Sequence, residues 1–181
     1  MGIVQIIDGV QSGSGGGGGG DSVIVKGSTP PSDTSKLWYN TNDDIIYFYD
    51  GSDWLSEDIY ETIFNDQGST PNNTFLRCGN TIGSETGSGY NLAFNCRVLD
   101  LSFNRLPNTA KSGQYWLYSN RDTGTNFSSV IASFVVDTSA RGVVSPNVPT
   151  DINEGNYMNI RWNGLQTNNN VVTIRYRKKH V

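Results

Sequence analysis

The sequence predicts a mainly β protein. It has an N-terminal extended docking segment, a small aromatic β-hairpin module and a C-terminal antiparallel β-sandwich of jelly-roll or Greek-key type. Two observations carry this. The 181 residues include 21 glycines, with 35% hydrophobic and only 17% charged side chains. Asn, Ser and Thr thus stand where charge usually would, a composition that suits turns and disfavours helices. Apolar residues also come in short runs with period-two alternation, separated by Gly, Asn, Ser and Pro clusters, which reads as strands and turns.

Residues 1–11 open with "GIVQIIDGVQ", a short apolar β-type segment. Its apolar side chains are Ile3, Val4, Ile6, Ile7 and Val10. Residues 12–22 contain an uninterrupted glycine run, which loses much entropy on ordering and reads as a flexible linker. An apolar stretch tethered beyond such a linker is expected to add a strand to another chain, and so to dock this protein to a partner. It lacks a basic region followed by a long apolar run, so it does not read as a signal peptide. No apolar run reaches the length of a membrane span.

The second module is placed at residues 23–70. "VIVK" reads as a short strand and "GSTPPSDTSK" as a Pro/Ser-rich turn and lead-in. "KLWYN" and "IIYFYDG" are expected to pair across "TNDD", with "DGSD" turning the chain again into "WLS". In the second run Ile45, Tyr47 and Tyr49 share one face while Ile46 and Phe48 share the other. Both faces are apolar, and an isolated hairpin is marginal in water. It must be covered by neighbouring segments or by other subunits. In "LSEDIYETIFNDQ", Ile59, Ile63 and Phe64 fall at helical spacing, so a short helical turn is expected before the break at "GSTPNN".

Residues 71–181 read as about seven strands over roughly a hundred residues, the pattern of a sandwich. "NYMNIRW" alternates Tyr157, Asn159 and Arg161 against Met158, Ile160 and Trp162. "NVVTIRYRKK" sets Val172, Ile174 and Tyr176 against Thr173, Arg175 and Arg177. "GLQTNNN" between them suggests a hairpin. Cys78 and Cys96 are expected as buried thiols rather than a disulfide, and two thiols with one histidine cannot build a four-ligand zinc site.

Charge is uneven. Residues 1–70 hold two basic and eleven acidic side chains, and residues 71–181 eleven basic and six acidic. That marks either two modules with different partners or two differently solvated faces. The chain as a whole is acidic, so its basic tail "RYRKKH" does not read as a nucleic-acid site. Neither a membrane nor a cofactor is implied. The lone His180 is penultimate, in a tail expected to fray, which argues against nucleophilic catalysis. The carboxylates of the last module are Glu85, Asp100, Asp122, Asp137, Asp151 and Glu154. Several sit in turn contexts, and a hydrolytic pair among them is the weaker reading. "NTNDD" and "DGSD" lack the spacing of an EF-hand loop. Candidate glycan contacts are Trp116, Tyr118, Tyr157 and Trp162, because flat rings stack on apolar sugar faces. The competing reading of each is a core residue.

The stretch "LWYNTNDDIIYFYDGSDWLS", with its lead-in, resembles a module of bacteriophage tail-fibre and head-fibre proteins. Leu37, Trp38, Tyr39, Asn40, Thr41, Tyr47, Tyr49, Asp50, Gly51, Ser52 and Trp54 carry the resemblance, over residues 27–56. It implies a homotrimer on the virion exterior, made in the bacterial host cytoplasm, attached to a capsid or tail protein by its N-terminus. It also implies a distal β-domain that meets host-surface glycan. The chain is short for a tail fibre, so a head fibre, a capsid decoration protein or a short tail appendage fits as well. On this reading Trp38, Tyr47, Tyr49 and Trp54 form the module core or a subunit seam. The alternatives are a free carbohydrate-binding module and, more weakly, a carboxylate-dependent glycan hydrolase.

Overall fold

The computed structural model describes residues 23–72, 74–78, 89–106, 110–120 and 130–181. The docking segment and its linker lie outside them. The described chain is all β and falls into two compact units. One runs to Asp58 and includes His180. The other runs from Ile59 to Lys179, with Val181.

The first unit is a four-stranded sheet of β1 (Ile24–Gly27), β2 (Leu37–Asn40), β3 (Ile45–Tyr49) and β4 (Trp54–Ser56), in that order. β2, β3 and β4 are antiparallel neighbours, whereas β1 runs parallel to β2. The hairpin turns form where the sequence places them. Asp50 Oδ1 accepts the backbone N–H groups of Ser52 (2.9 Å) and Asp53 (2.8 Å). Gly51 adopts the left-handed conformation (φ +103°) that this turn needs.

The second unit begins with β5 (Tyr60–Thr70), β6 (Thr74–Phe75), β7 (Arg77–Cys78), β8 (Tyr90–Asn91) and β9 (Cys96–Asn104). It continues with β10 (Gly113–Asn120), β11 (Val130–Val136), β12 (Arg141–Val144), β13 (Thr150–Ile152), β14 (Tyr157–Gly164) and β15 (Thr167–Lys178). One sheet has the order β12-β9-β15-β5-β7, with β13 also on β9. The other has β11-β10-β14-β6, with β8 also on β14. All pairings in both are antiparallel. The two sheets turn their buried faces to one core. Phe64, Leu101, Phe103, Val172 and Ile174 come from the first, and Tyr115, Leu117, Phe134, Ile160 and Trp162 from the second. Tyr115 bridges them: its ring lies 5.9 Å from Phe103, and its hydroxyl donates to Asn170 Oδ1 at 2.9 Å.

Three expectations are corrected. Residues 59–67 form no helical turn, because β5 pairs with β15 from Tyr60 onward. Ile59 and Ile63 are exposed while Thr62 and Phe64 are buried, which is strand alternation rather than a helical stripe. The compact units accordingly divide after Asp58, not at the break near residue 70. β14 and β15 are not a hairpin. They belong to different sheets, and the chain crosses between them at residues 164–167. Separate sheets let Ile160 and Trp162 meet Val172 and Ile174 across a core, whereas a single hairpin would set them side by side on one surface.

Trp162 shapes that corner. Gly113 and Gly164 are cross-strand partners, and the indole lies across both. A Cβ on Gly113 would sit 2.6 Å from the ring, and one on Gly164 2.5 Å. Arg105 is the buried cation beside it. Its guanidinium donates to the carbonyl oxygens of Lys111 (2.5 Å), Asp137 (3.0 Å) and Ser139, and lies 4.9 Å from the Phe103 ring and 5.4 Å from that of Trp162. Burial draws its pKa down, with Tyr115 and Asp137 acting in the opposite sense.

Cys78 and Cys96 are thiols, not a disulfide. Burial pushes Cys96 up to about 12, with the Asp151 carboxylate adding to it, and burial also raises Cys78. The thiolate is the reactive form. A thiol reagent at pH 8 is therefore expected to label half-buried Cys78 first, and Cys96 only after unfolding. Equal labelling rates in the native protein would contradict this.

Candidate functional site

Two surfaces hold the residues that the sequence singles out. The first is the aromatic cluster of the four-stranded unit. Trp38 and Tyr47 are register partners, both fully buried, with ring centroids 5.2 Å apart. Trp54 meets Trp38 edge-on at 5.8 Å. The Trp38 Nε1–H donates to the Gly27 carbonyl at 2.9 Å, which ties β2 to β1 through a side chain as well as the backbone. The Tyr47 hydroxyl donates to Asp43 Oδ2 at 2.6 Å.

His180 does not sit in a frayed tail. Its ring packs edge-on at 4.6 Å from Trp38 and 5.8 Å from Tyr47, and its backbone N–H donates to the Trp54 carbonyl at 3.0 Å. Edge-to-face contact suits the quadrupoles of these rings. The burial of Trp38 and Tyr47 is thus completed within one chain, by β1, β4 and His180. Tyr49 and Trp54 are half-buried with rings 5.6 Å apart. A subunit seam at this unit would use them rather than Trp38 or Tyr47.

The second surface is the outer face of the β11-β10-β14-β6 sheet. Strand alternation and register set Ser133, Trp116, Arg161 and Phe75 in one row across it. Trp116 is half-buried. Its Nε1–H donates to Gln114 Oε1 at 2.7 Å, and that oxygen also accepts the Ser133 hydroxyl at 3.1 Å, which fixes the indole. The Arg161 guanidinium lies 5.2 Å from the Phe75 ring.

Tyr118 shares this face with Trp116, as its spacing implies, yet it is buried, with its ring 5.3 Å from Phe75. Tyr157 lies on the same side of β14 and is half-buried. Trp162 is on the opposite side. It is fully buried 4.9 Å from Tyr115, with its N–H donating to the Leu165 carbonyl at 3.0 Å. It is a core residue and leaves the glycan set. Gln114, Ser133, Arg161 and Phe75 were not among the sequence candidates. Gln114 could have been found by its i, i+2 spacing to Trp116, but the other three are neighbours only through register.

Charge separates the two sheets. Arg161 is the sole ionisable Asp, Glu, Lys or Arg in β6, β8, β10, β11 and β14. The other sheet carries ion pairs. Arg175 forks Asp100 at 2.8 and 2.6 Å, and Asp151 receives Arg97 at 2.8 Å and Lys179 at 2.5 Å. Asp137 accepts the Ser139 backbone N–H at 2.7 Å. Asp100, Asp137 and Asp151 are therefore engaged in structural contacts rather than facing one another. Glu85 and Asp122 lie outside the described residues. Among the described residues no three His, Cys, Asp or Glu side chains gather to hold a metal, and no helix is long and apolar enough to cross a membrane.

Burial alone would raise the Asp151 carboxyl, but the hydrogen bonds from Arg97 and Lys179 outweigh it and hold the group below its ordinary 3.8. Its contribution to stability is complete above that value and is lost as pH falls through the lower folded one. Asp151→Asn is expected to lower the thermal midpoint at pH 7 and to lower it less near pH 2. An equal drop at both would contradict the ion-pair account.

Comparison with protein-family models, with curated proteins and with solved structures finds no match for this chain.

Proposed function

We propose that the chain is a structural protein of a bacteriophage virion: a homotrimeric fibre or decoration appendage on the particle exterior. Residues 1–11 attach it to a capsid or tail protein. The second unit is a β-sandwich of jelly-roll type that projects outward, where Trp116 and its neighbours meet host-surface glycan. The observation that carries this reading is modular. The "LWYNT…YFYDGSDW" segment, which resembles fibre modules, makes a compact sheet of its own ahead of a larger β unit. The carboxylates described in that larger unit include three that serve ion pairs or turns.

Immunogold labelling of phage particles, with antibody raised against residues 59–181, tests the assignment. Label on the particle exterior is expected, and particles assembled without the protein would overturn it. Deleting residues 1–20 is expected to abolish attachment while the remaining chain stays folded.

A free carbohydrate-binding module is the second reading, favoured by one observation: half-buried Trp116 held by Gln114 on a face with a single charge. A glycan array compared with the Trp116→Ala protein separates the two. Binding lost in the variant of a monomeric protein supports the module.

A further inference from the structure

We infer that the glycan met at Trp116 is an acidic one, a sugar bearing a carboxylate such as a uronic or sialic acid; the inference rests on the glycan-contact reading above. A flat ring, a pair of amides and a cation stand together on the outer face of the β11-β10-β14-β6 sheet. The Trp116 indole is tied along its strand by its hydrogen bond to Gln114, two residues away, and the Ser133 hydroxyl holds the same Gln114 oxygen from β11. The ring is thus set in place before a ligand arrives, which spares the entropy of ordering it. Gln114 and Asn163 are the next cross-strand pair along this face, both half-buried. Their amides can donate to and accept from sugar hydroxyls.

Arg161 is the cross-strand partner of Trp116 itself. The two side chains therefore leave the sheet on one face, with Cβ atoms about 5 Å apart, a spacing that one sugar ring spans. A sugar stacked on the indole turns its substituents toward the guanidinium. That group lies 5.2 Å from the Phe75 ring, and an arginine stacked on an aromatic keeps its N–H groups in the plane, pointing to the sides. Arg161 has further contacts within its own chain. A guanidinium carries several N–H donors in a planar fork, enough to serve a protein group and a ligand together.

Charge gives the class of sugar. The strands of this sheet bring one cation, Arg161, and no carboxylate. A carboxylate is the group that a guanidinium fork binds through two parallel hydrogen bonds. The wider field acts in the same sense. Residues 59–181 hold eleven basic and eight acidic side chains, whereas residues 1–58 hold two and nine, so an anionic polymer is drawn to the larger unit. One cation beside one ring suits one charge per sugar. A heavily sulfated polymer or a nucleic-acid strand needs a line of cations to track it.

A glycan array on the full chain tests this. It carries oligosaccharides of glucuronic, galacturonic and N-acetylneuraminic acid, each beside the same sugar with its carboxyl group reduced to an alcohol. Heparin and oligo-thymidylate complete it. The wild type is expected to bind at least one acid about tenfold tighter than its reduced form, the worth of a hydrogen bond to a charged group. Arg161→Gln should bring the two forms to the same affinity, and Arg161→Lys should keep only part of the preference. An acid and its reduced form bound equally by the wild type overturn the inference and leave the glycan reading standing. So does a preference that survives Arg161→Gln, or heparin or oligo-thymidylate bound more tightly than every acidic sugar. A wild type that binds no sugar on the array overturns both. Salt gives a second measurement that needs no variant. Added sodium chloride should weaken binding of the acid and spare that of the reduced form, and an equal response of the two would also overturn the inference.

Discussion

Trp162→Ala is expected to destabilise the larger unit by about 3–5 kcal/mol, the range for deleting a fully buried tryptophan. The ring fills the corner where the chain passes from one sheet to the other, touches Tyr115, and stacks beneath Arg105. Its removal also strips the Leu165 carbonyl of its donor. The loss should appear as a lower denaturant midpoint, with no specific effect on glycan binding by the protein that remains folded. The glycine pair sharpens this. Gly164→Ala places a methyl group 2.5 Å from the indole, and such overpacking costs about 1–3 kcal/mol. In a Trp162→Phe background the ring is smaller, and Gly164→Ala should cost less. A double-mutant cycle on chemical denaturation reads that coupling. Additive costs would show that the indole is not what excludes the side chain.

Trp38→Ala is expected to have a comparable effect on the smaller unit, again about 3–5 kcal/mol. Trp38 is the hub there: it contacts Tyr47, Trp54 and His180 and is hydrogen-bonded to Gly27. A four-stranded sheet of short strands has little stability in reserve. Hydrogen exchange is therefore expected to show loss of amide protection at residues 37–40 and 45–49, with protection retained at β9 and β15. Loss in both units together would mean that they unfold as one. His180→Ala should follow in kind but weaken the unit by only about 0.5–1.5 kcal/mol, the worth of an aromatic pair.

The parts of this fold that were legible in the sequence are those decided by neighbours along the chain. The turn at Asp50–Gly51 was readable because the side chain and the left-handed glycine act within four residues. The buried face of β15 was readable because Val172, Ile174 and Tyr176 alternate with charged and polar partners. What could not be read depended on contacts distant in sequence. Whether Trp162 or Arg161 faced inward was undecided by alternation alone, since both sides of β14 carry residues able to line a core or a surface. The pairing of β5 with β15 joins Tyr60 to Tyr176 and Phe64 to Val172, residues far apart in the chain, and it overrode a helical spacing that a local reading favoured. His180 was misread for the same reason. Its position near the end of the chain suggested fraying, whereas two aromatic side chains and a backbone carbonyl give it a place.

The candidate glycan face was half legible. Trp116 and Tyr118 do share a side of β10, but the row from Ser133 to Phe75 is a product of register. That the burial of Trp38 and Tyr47 closes within one chain also moves the argument for assembly away from the aromatic hairpin. It shifts to the half-buried Tyr49 and Trp54.

The central claim is that this chain works as a homotrimer, and its mass in solution tests that most directly. Native mass spectrometry of the intact protein should give a species of three 19.8 kDa chains that persists on dilution to low micromolar concentration. A single 19.8 kDa species under the same conditions would contradict the appendage reading and favour the free carbohydrate-binding module.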